Sequence, residues 1–226
     1  MKCLVLAGGF GTRLYPLTIN RAKSLLEYKG KPLLTHIIDK VPQDIDILVA
    51  TNKRFEAEFL RWRKGIGRHV DICVEAAGSE AEKKGAVGAL YFWLIEKKID
   101  EDLLVVAGDN YFGFDLTKFI AVYDGNTALI AVHDIDDIEK ATQFGVVKLE
   151  GNKVIEFEEK PTKPKTTLVA TAIYIFPPRV FHHLARFCTS GRTDNLGSFI
   201  SYLVDTDEVH AYVFAEPWLD IGSKRG

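Results

Sequence analysis

Cys3-Leu4-Val5-Leu6 is an apolar run of strand length, and it empties directly into Ala7-Gly8-Gly9-Phe10-Gly11-Thr12-Arg13-Leu14. A buried strand that ends in a glycine-rich loop is the usual opening of a parallel α/β unit. Three glycines among four residues (Gly8, Gly9, Gly11) let backbone N–H groups close on a phosphate, because no Cβ bars the approach. Arg13 at the end of the loop adds a planar fork for phosphate oxygens. The chain therefore opens on a nucleotide-phosphate site. It is not a Walker A loop, since no Gly-Lys-Ser/Thr follows, and Gly9-x-Gly11 fails as a dinucleotide fingerprint because position 14 is Leu14. A turn whose glycines serve only backbone shape is the plainer alternative; Thr12-Arg13 behind an N-terminal strand weighs against it.

Strand-like and helical runs then alternate. Ile45–Ala50, Val70–Val74 and the continuous apolar run Leu103–Ala107 read as strands, while Leu33–Lys40, Arg54–Arg63 and Ala86–Lys97 have helical spacing. This order predicts an α/β fold with a doubly wound, mostly parallel mixed sheet of Rossmann-like character. Ligands in such sheets bind beyond the carboxyl ends of the strands. The loop after Leu6, the end of Val74 and the Gly108-Asp109 turn should then share one crevice. The second half reads as strands at Thr127–Val132, Phe144–Leu149, Val154–Phe157, Leu168–Phe176 and Ala211–Phe214, with a hairpin at Gly151-Asn152 and helices at Val180–Phe187 and Leu196–Leu203. It suggests a small β elaboration within one domain spanning 1–226.

The 226 residues suffice for one sizeable core. A net charge of −2 argues against nucleic-acid binding. Cys3, Cys73 and Cys188 are odd in number and far apart, so they read as thiols in a reducing, cytoplasmic setting. No secretory leader and no membrane-length apolar run is expected. The six histidines have no ligand spacing, and adjacent His182 and His183 should point to different faces of a helix.

Two acids draw attention on position alone. Asp109 follows a buried strand, where it either enters the crevice or closes an Asx turn. Glu159 shares strand parity with Ile155 and Phe157, which places an acid on an apolar face and argues for a role beyond a solvated strand.

The stretch Leu6–Thr18 resembles the signature loop of the sugar-phosphate nucleotidyltransferases, the family of glucose-1-phosphate thymidylyltransferase and mannose-1-phosphate guanylyltransferase. Ala22-Lys23-Ser24-Leu25-Leu26 through Gly30-Lys31-Pro32, Gly108-Asp109-Asn110, Phe144-Gly145-Val146-Val147, Glu158-Glu159-Lys160-Pro161 and Trp218-Leu219-Asp220-Ile221-Gly222 resemble its later motifs in order. The resemblance implies joining of a nucleoside triphosphate to a sugar 1-phosphate with release of pyrophosphate. A sugar phosphate is largely a dianion at neutral pH, so no general base is required; positioning and charge neutralisation are.

By this resemblance Leu6, Ala7, Gly8, Gly9, Gly11, Thr12, Arg13, Lys23, Glu75, Gly85 and Gly108 bind the nucleotide. Asn110, Gly145, Glu159, Lys160 and Thr171 bind the sugar phosphate, and Asp109 and Asp220 hold Mg2+. Arg13, Lys23, Asp109 and Lys160 carry the catalysis. Glu75-Ala76 stands where thymidylyl- and uridylyltransferases often have Gln-Pro; a carboxylate only accepts, which matches guanine N1–H and N2–H2 or cytosine N4–H2. An exposed strand-end acid is the alternative there. Asp194 is a secondary polar contact, a turn residue or a helix cap, and Lys31 is structural or a rim residue. Glu27 replaces a usual proline, Phe144 a tyrosine and Ser223 a threonine. The chain ends at Gly226, where most relatives continue, and reads as a minimal or trimmed catalytic domain with homo-oligomerisation left open. The competing readings are a cytidylyltransferase for a non-sugar phosphate such as phosphocholine, a catalytically silent nucleotide-sugar sensor, and a glycosyltransferase using Asp134-x-Asp136.

Overall fold

The computed structural model describes residues 1–82, 84–191 and 193–221; Gly222, Ser223 and the chain end at Gly226 lie outside them. The strands in chain order are β1 Lys2–Leu6, β2 Glu27–Tyr28, β3 Lys31–Pro32, β4 Asp46–Asn52, β5 Asp71–Glu75, β6 Leu103–Ala107, β7 Asn110–Phe112, β8 Ala128–Asp134, β9 Gly145–Glu150, β10 Lys153–Glu159, β11 Leu168–Phe176, β12 Val209–Phe214 and β13 Trp218–Asp220. The helices are α1 Leu33–Ile38, α2 Glu56–Arg63, α3 Ala86–Glu96, α4 Leu116–Ala121, α5 Ile138–Ala141, α6 Phe181–Thr189 and α7 Leu196–Thr206.

Nine strands form one sheet in the order β5-β4-β1-β6-β11-β8-β12-β10-β9. Only β11 and β10 run against the rest. The sheet is covered on both faces, so its central strands are apolar at every position rather than alternating. In β6, Leu103 and Val105 join the core beneath α3, α6 and α7, while Leu104 and Val106 join the core beneath α1, α2 and α4. Phe199 and Phe59, both fully buried, anchor one helix layer each.

The registers place Leu6 level with both Ala50 and Ala107, so β1, β4 and β6 end together. β5 ends at Glu75 level with Asn52 of β4, and Leu6, Glu75 and Asp109 line one cavity, as the chain order predicts for the ends of β1, β5 and β6. Beside the main sheet, β7 and β13 form a separate two-stranded pair that the sequence does not announce. Three-residue strands are too short to show a period.

Two expectations are corrected. Ile155 does not share a face with Phe157 and Glu159, because a bulge between Val154 and Glu156 resets the alternation. Val154 and Phe157 are buried and Ile155 is exposed, so the parity argument holds only from Phe157 to Glu159. His182 and His183 differ in burial, but their rings do not point apart: the centroids lie 3.9 Å from each other.

Candidate active site

The glycine loop is fixed by backbone hydrogen bonds before any ligand is considered. Ala7 N donates to Ala50 O at 2.8 Å, Gly108 N donates to Leu6 O at 2.8 Å, and Asn52 Nδ2 donates to Gly8 O at 2.8 Å. Gly11 lies at φ +64°, and Thr18 Oγ1 returns a 2.6 Å hydrogen bond to its carbonyl. The one-turn helix at Thr12–Leu14 then places Arg13 in the crevice wall. Ala7, Gly11, Thr12 and Gly108 shape this loop without lining the cavity, whereas Leu6, Gly8 and Gly9 line it.

Below the loop is a cavity of about 270 Å³ bounded by Leu6, Gly8, Glu75, Lys84, Gly85 and Asp109. Glu75 is 6% exposed, which removes the exposed strand-end reading. Burial pushes its pKa up; Lys84 and then Trp93 pull the other way. The indole N–H of Trp93 is buried and closes no well-formed hydrogen bond among the described residues. Gly85, at φ +77°, brings the start of α3 against the 193–194 segment, and Ala86 N donates to Asp194 O at 2.7 Å.

A wider crevice of about 680 Å³ continues from this cavity, sharing Ala86, Ala107, Asp109, Asp194 and Leu196 with it. Glu159 closes β10 opposite Gly145 on β9. A Cβ at Gly145 would overlap the Phe157 ring and come within 3.1 Å of Glu159 Oε2. A Cβ at Gly197, in the first turn of α7, would overlap Glu159 Oε2 and lie 2.6 Å from Cδ. Glu159 is thus seated between two glycines, one foreseen and one missed. Lys160, at φ +49°, keeps its ammonium 3.7 Å from Glu159 Oε1. Thr171 lines the wall, but its hydroxyl donates to Ala131 O at 3.0 Å. Asn110 is 5% exposed; its Nδ2 donates to Asp109 Oδ1 at 3.1 Å and its Oδ1 has no partner among the described residues. Trp218 Nε1 is likewise buried without a partner among the described residues, with the ring packed on Phe144 at 5.1 Å. Asp134 and Asp136 lie outside both cavities; Asp134 Oδ1 accepts from Asp136 N in a local turn.

The two candidate metal-holding acids meet through β7 and β13, where Asp220 pairs with Asn110 and Ile221 N donates to Asp109 O at 3.2 Å. Between them stands Lys23, its Nζ 2.6 Å from Asp109 Oδ2 and 3.7 Å from Asp220 Oδ1. Ala22, fully buried, ties the lysine turn down by donating its N–H to Glu58 Oε2 at 2.8 Å. Farther along, Tyr28 packs on Tyr111 of β7 at 4.8 Å, joining the lysine segment to the aspartate segment. Lys31 instead pairs with Asp39, away from the crevice. Among the described residues no three His, Cys, Asp or Glu side chains gather as a closed metal site.

A profile of the family described as nucleotidyl transferase matches residues 2–226. The chain belongs to the nucleotidyl transferase family. This nucleotidyl transferase is 31% identical over 232 residues to the UTP–glucose-1-phosphate uridylyltransferase of Haloferax volcanii, covering 98% of this chain and 91% of that protein. It is 27% identical over 227 residues to a Sulfolobus acidocaldarius protein provisionally named a mannose-1-phosphate guanyltransferase, covering 100% of this chain but 60% of that protein. A crystal structure from Bacillus anthracis, provisionally named a glucose-1-phosphate thymidylyltransferase and solved with sucrose, matches with a TM-score of 0.83 at 25% identity. That match covers 99% of this chain and 91% of the other. These three names carry three different bases.

In this nucleotidyl transferase the sequence reading missed Gly197, Asn52 and Asn195, which lines the crevice and accepts from Ser198 N at 2.8 Å through its Oδ1; Trp218 was named with the Asp220 motif but given no role of its own. A glycine in the first turn of a helix was the available signal for Gly197, since helix propensity disfavours it. Glu159 also makes a measurable prediction. Burial is the main cause that raises its pKa, with Lys160 opposing. A carboxyl that holds its proton more tightly when folded penalises the folded state as pH rises from the unfolded pKa through the folded one. The penalty is absent below both values and complete above the folded value. Glu159→Gln is therefore expected to raise the Tm at pH 7, with the gain vanishing once the pH falls below the unfolded carboxyl range of about 4. Calorimetry at the two pH values checks it.

Proposed function

We propose that this nucleotidyl transferase joins a nucleoside triphosphate to a sugar 1-phosphate, giving an NDP-sugar and pyrophosphate, in a Mg2+-dependent reaction. The observation that carries the reading is one continuous crevice holding phosphate-binding groups at its centre and a seated acid at each end. Glu75 lies at the nucleotide end and Glu159 at the sugar end. Arg13 and Lys23 line the wider part, Lys23 against Asp109 where the two cavities meet, and are matched to the triphosphate, while Lys160 beside Glu159 is matched to the sugar's phosphate.

The residues present fit Mg2+. Asp109 and Asp220 are an oxygen-only pair brought together by strand pairing, and the pair already attracts a cation, the Lys23 ammonium. Two carboxylates with phosphate oxygens and waters suit a hard octahedral ion. When bound, Mg2+ neutralises developing charge on the reacting phosphate and aligns the pyrophosphate for departure. The chain's own residues hold the two substrates in line. Glu159 orients the sugar hydroxyls, and the glycine loop leaves room for the α-phosphate. No side chain needs to remove a proton, because the attacking sugar phosphate is already ionised. Glu75, buried and acceptor-only, supports a base with adjacent N–H donors such as guanine; cytosine offers one such amino group.

The buried, unpaired Cys3 and Cys73 support a reducing, cytoplasmic setting, and among the described residues no helix is long and apolar enough to cross a membrane. The reaction can be tested in reverse. With Mg2+ and pyrophosphate, an NDP-sugar should return NTP and sugar 1-phosphate in equal amounts. Pyrophosphate consumption without sugar 1-phosphate contradicts the reading.

One observation favours a second reading. Phe144, Phe157, Tyr174 and Trp218 line the crevice with Glu159, a setting that also suits a quaternary ammonium such as phosphocholine. Phe144 and Trp218 pack on each other, however, and Lys160 sits beside Glu159, which disfavours a second cation. Phosphocholine with CTP is the discriminating substrate pair.

A further inference from the structure

The carboxylates assigned to the metal are already engaged. Lys23 Nζ donates to Asp109 Oδ2 at 2.6 Å and lies 3.7 Å from Asp220 Oδ1, while Asn110 Nδ2 takes Asp109 Oδ1 at 3.1 Å. The Lys23 side chain is only 13% exposed, so its charge is withdrawn from water and its interaction with the acids is poorly screened. A divalent cation entering between the same acids meets a like charge at contact distance. Such repulsion between a divalent ion and the ammonium weakens metal binding to the free protein.

We infer that Lys23 gates the metal site: its ammonium holds the place of the cation in the free protein and moves to the nucleotide's phosphates before a divalent ion settles between Asp109 and Asp220. The inference rests on reading those two aspartates as the metal-holding pair. Charge bookkeeping gives the reason. Two carboxylates and one ammonium leave the centre with a single negative charge, and a divalent ion would turn it positive. A triphosphate arriving at Arg13 and the glycine loop supplies the negative charge that lets both cations stay, and it offers Lys23 a new partner. The lysine turn cannot simply slide away, because Ala22 is buried and hydrogen-bonded to Glu58 and Leu25 is buried. The movement is therefore a side-chain swing. Metal and nucleotide binding become coupled, each strengthening the other by the same factor.

The test is Mn2+ binding to the whole protein, followed by electron paramagnetic resonance, with a non-hydrolysable NTP analogue either absent or present. Wild type is expected to bind Mn2+ weakly alone and at least about tenfold more tightly with the analogue. Lys23→Met is expected to bind Mn2+ alone at least about tenfold more tightly than wild type, and to lose most of the nucleotide-induced gain. Lys23→Arg, which keeps the positive charge, should bind Mn2+ alone as weakly as wild type. Lys23→Gln, which also removes the charge, keeps the test open where Lys23→Met is poorly folded, because a gain in wild type alone also follows from the nucleotide's own phosphate oxygens. Equal Mn2+ affinity of wild type and Lys23→Met without nucleotide, or no nucleotide-induced gain in wild type, overturns the gate. Adding Asp109→Asn and Asp220→Asn to Lys23→Met separates the underlying reading: undiminished Mn2+ binding there overturns the assignment of the pair itself.

Discussion

Replacing Asp109 by asparagine is expected to lower kcat about a hundred- to thousandfold while the protein remains folded. The side chain sits at the carboxyl end of a central strand, partly exposed, and contributes to no core cluster. Asparagine keeps the volume and one acceptor oxygen but removes the charge. The loss falls on the step in which negative charge shifts onto pyrophosphate, so kcat suffers more than the KM for the sugar phosphate. Nucleotide binding through the glycine loop and Arg13 should survive. Steady-state kinetics across a range of Mg2+ concentrations checks this. A drop below about threefold would show that Asp109 is a turn residue, since removal of an exposed structural acid changes little.

The second large effect separates activity from stability. Alanine at position 197 adds one methyl group to the first turn of α7, and helix propensity favours the change by about 1 kcal/mol. The new Cβ overlaps the carboxylate of Glu159, a side chain that can swing away at little cost. The fold is expected to tolerate Gly197→Ala, with an unchanged or slightly raised Tm, while the KM for the sugar phosphate rises and kcat/KM falls about a hundredfold. A double-mutant cycle makes the cause visible. In a Glu159→Ala background the Gly197→Ala change should cost nothing further, because the group it displaces is gone. Full additivity would show that Gly197 acts elsewhere.

The parts of this site that were legible in the sequence are those built locally. The run Cys3–Leu6 into three glycines announces both β1 and its loop, because burial on two faces and freedom from Cβ leave direct marks in residue type. Glu75 was visible as an acid at a strand end, though its burial was not, since that depends on α3 closing over it. What could not be read was set by long-range pairing. Asp109 and Asp220 are adjacent only because β7 meets β13, two strands too short for a period and far apart in the chain. Gly197 acts on a residue in another element. The bulge that turns Ile155 outward breaks the alternation on which parity arguments depend.

Pyrophosphate release tests the central claim most directly. GTP, dTTP, UTP, CTP and ATP are each paired, with Mg2+, against the 1-phosphates of glucose, mannose and N-acetylglucosamine, and against phosphocholine. The account predicts release that requires both substrates, is confined to a sugar 1-phosphate, and is strongest with GTP because Glu75 presents only acceptors. Release with phosphocholine alone among the acceptors, or none with any pair while NTP still binds, contradicts it.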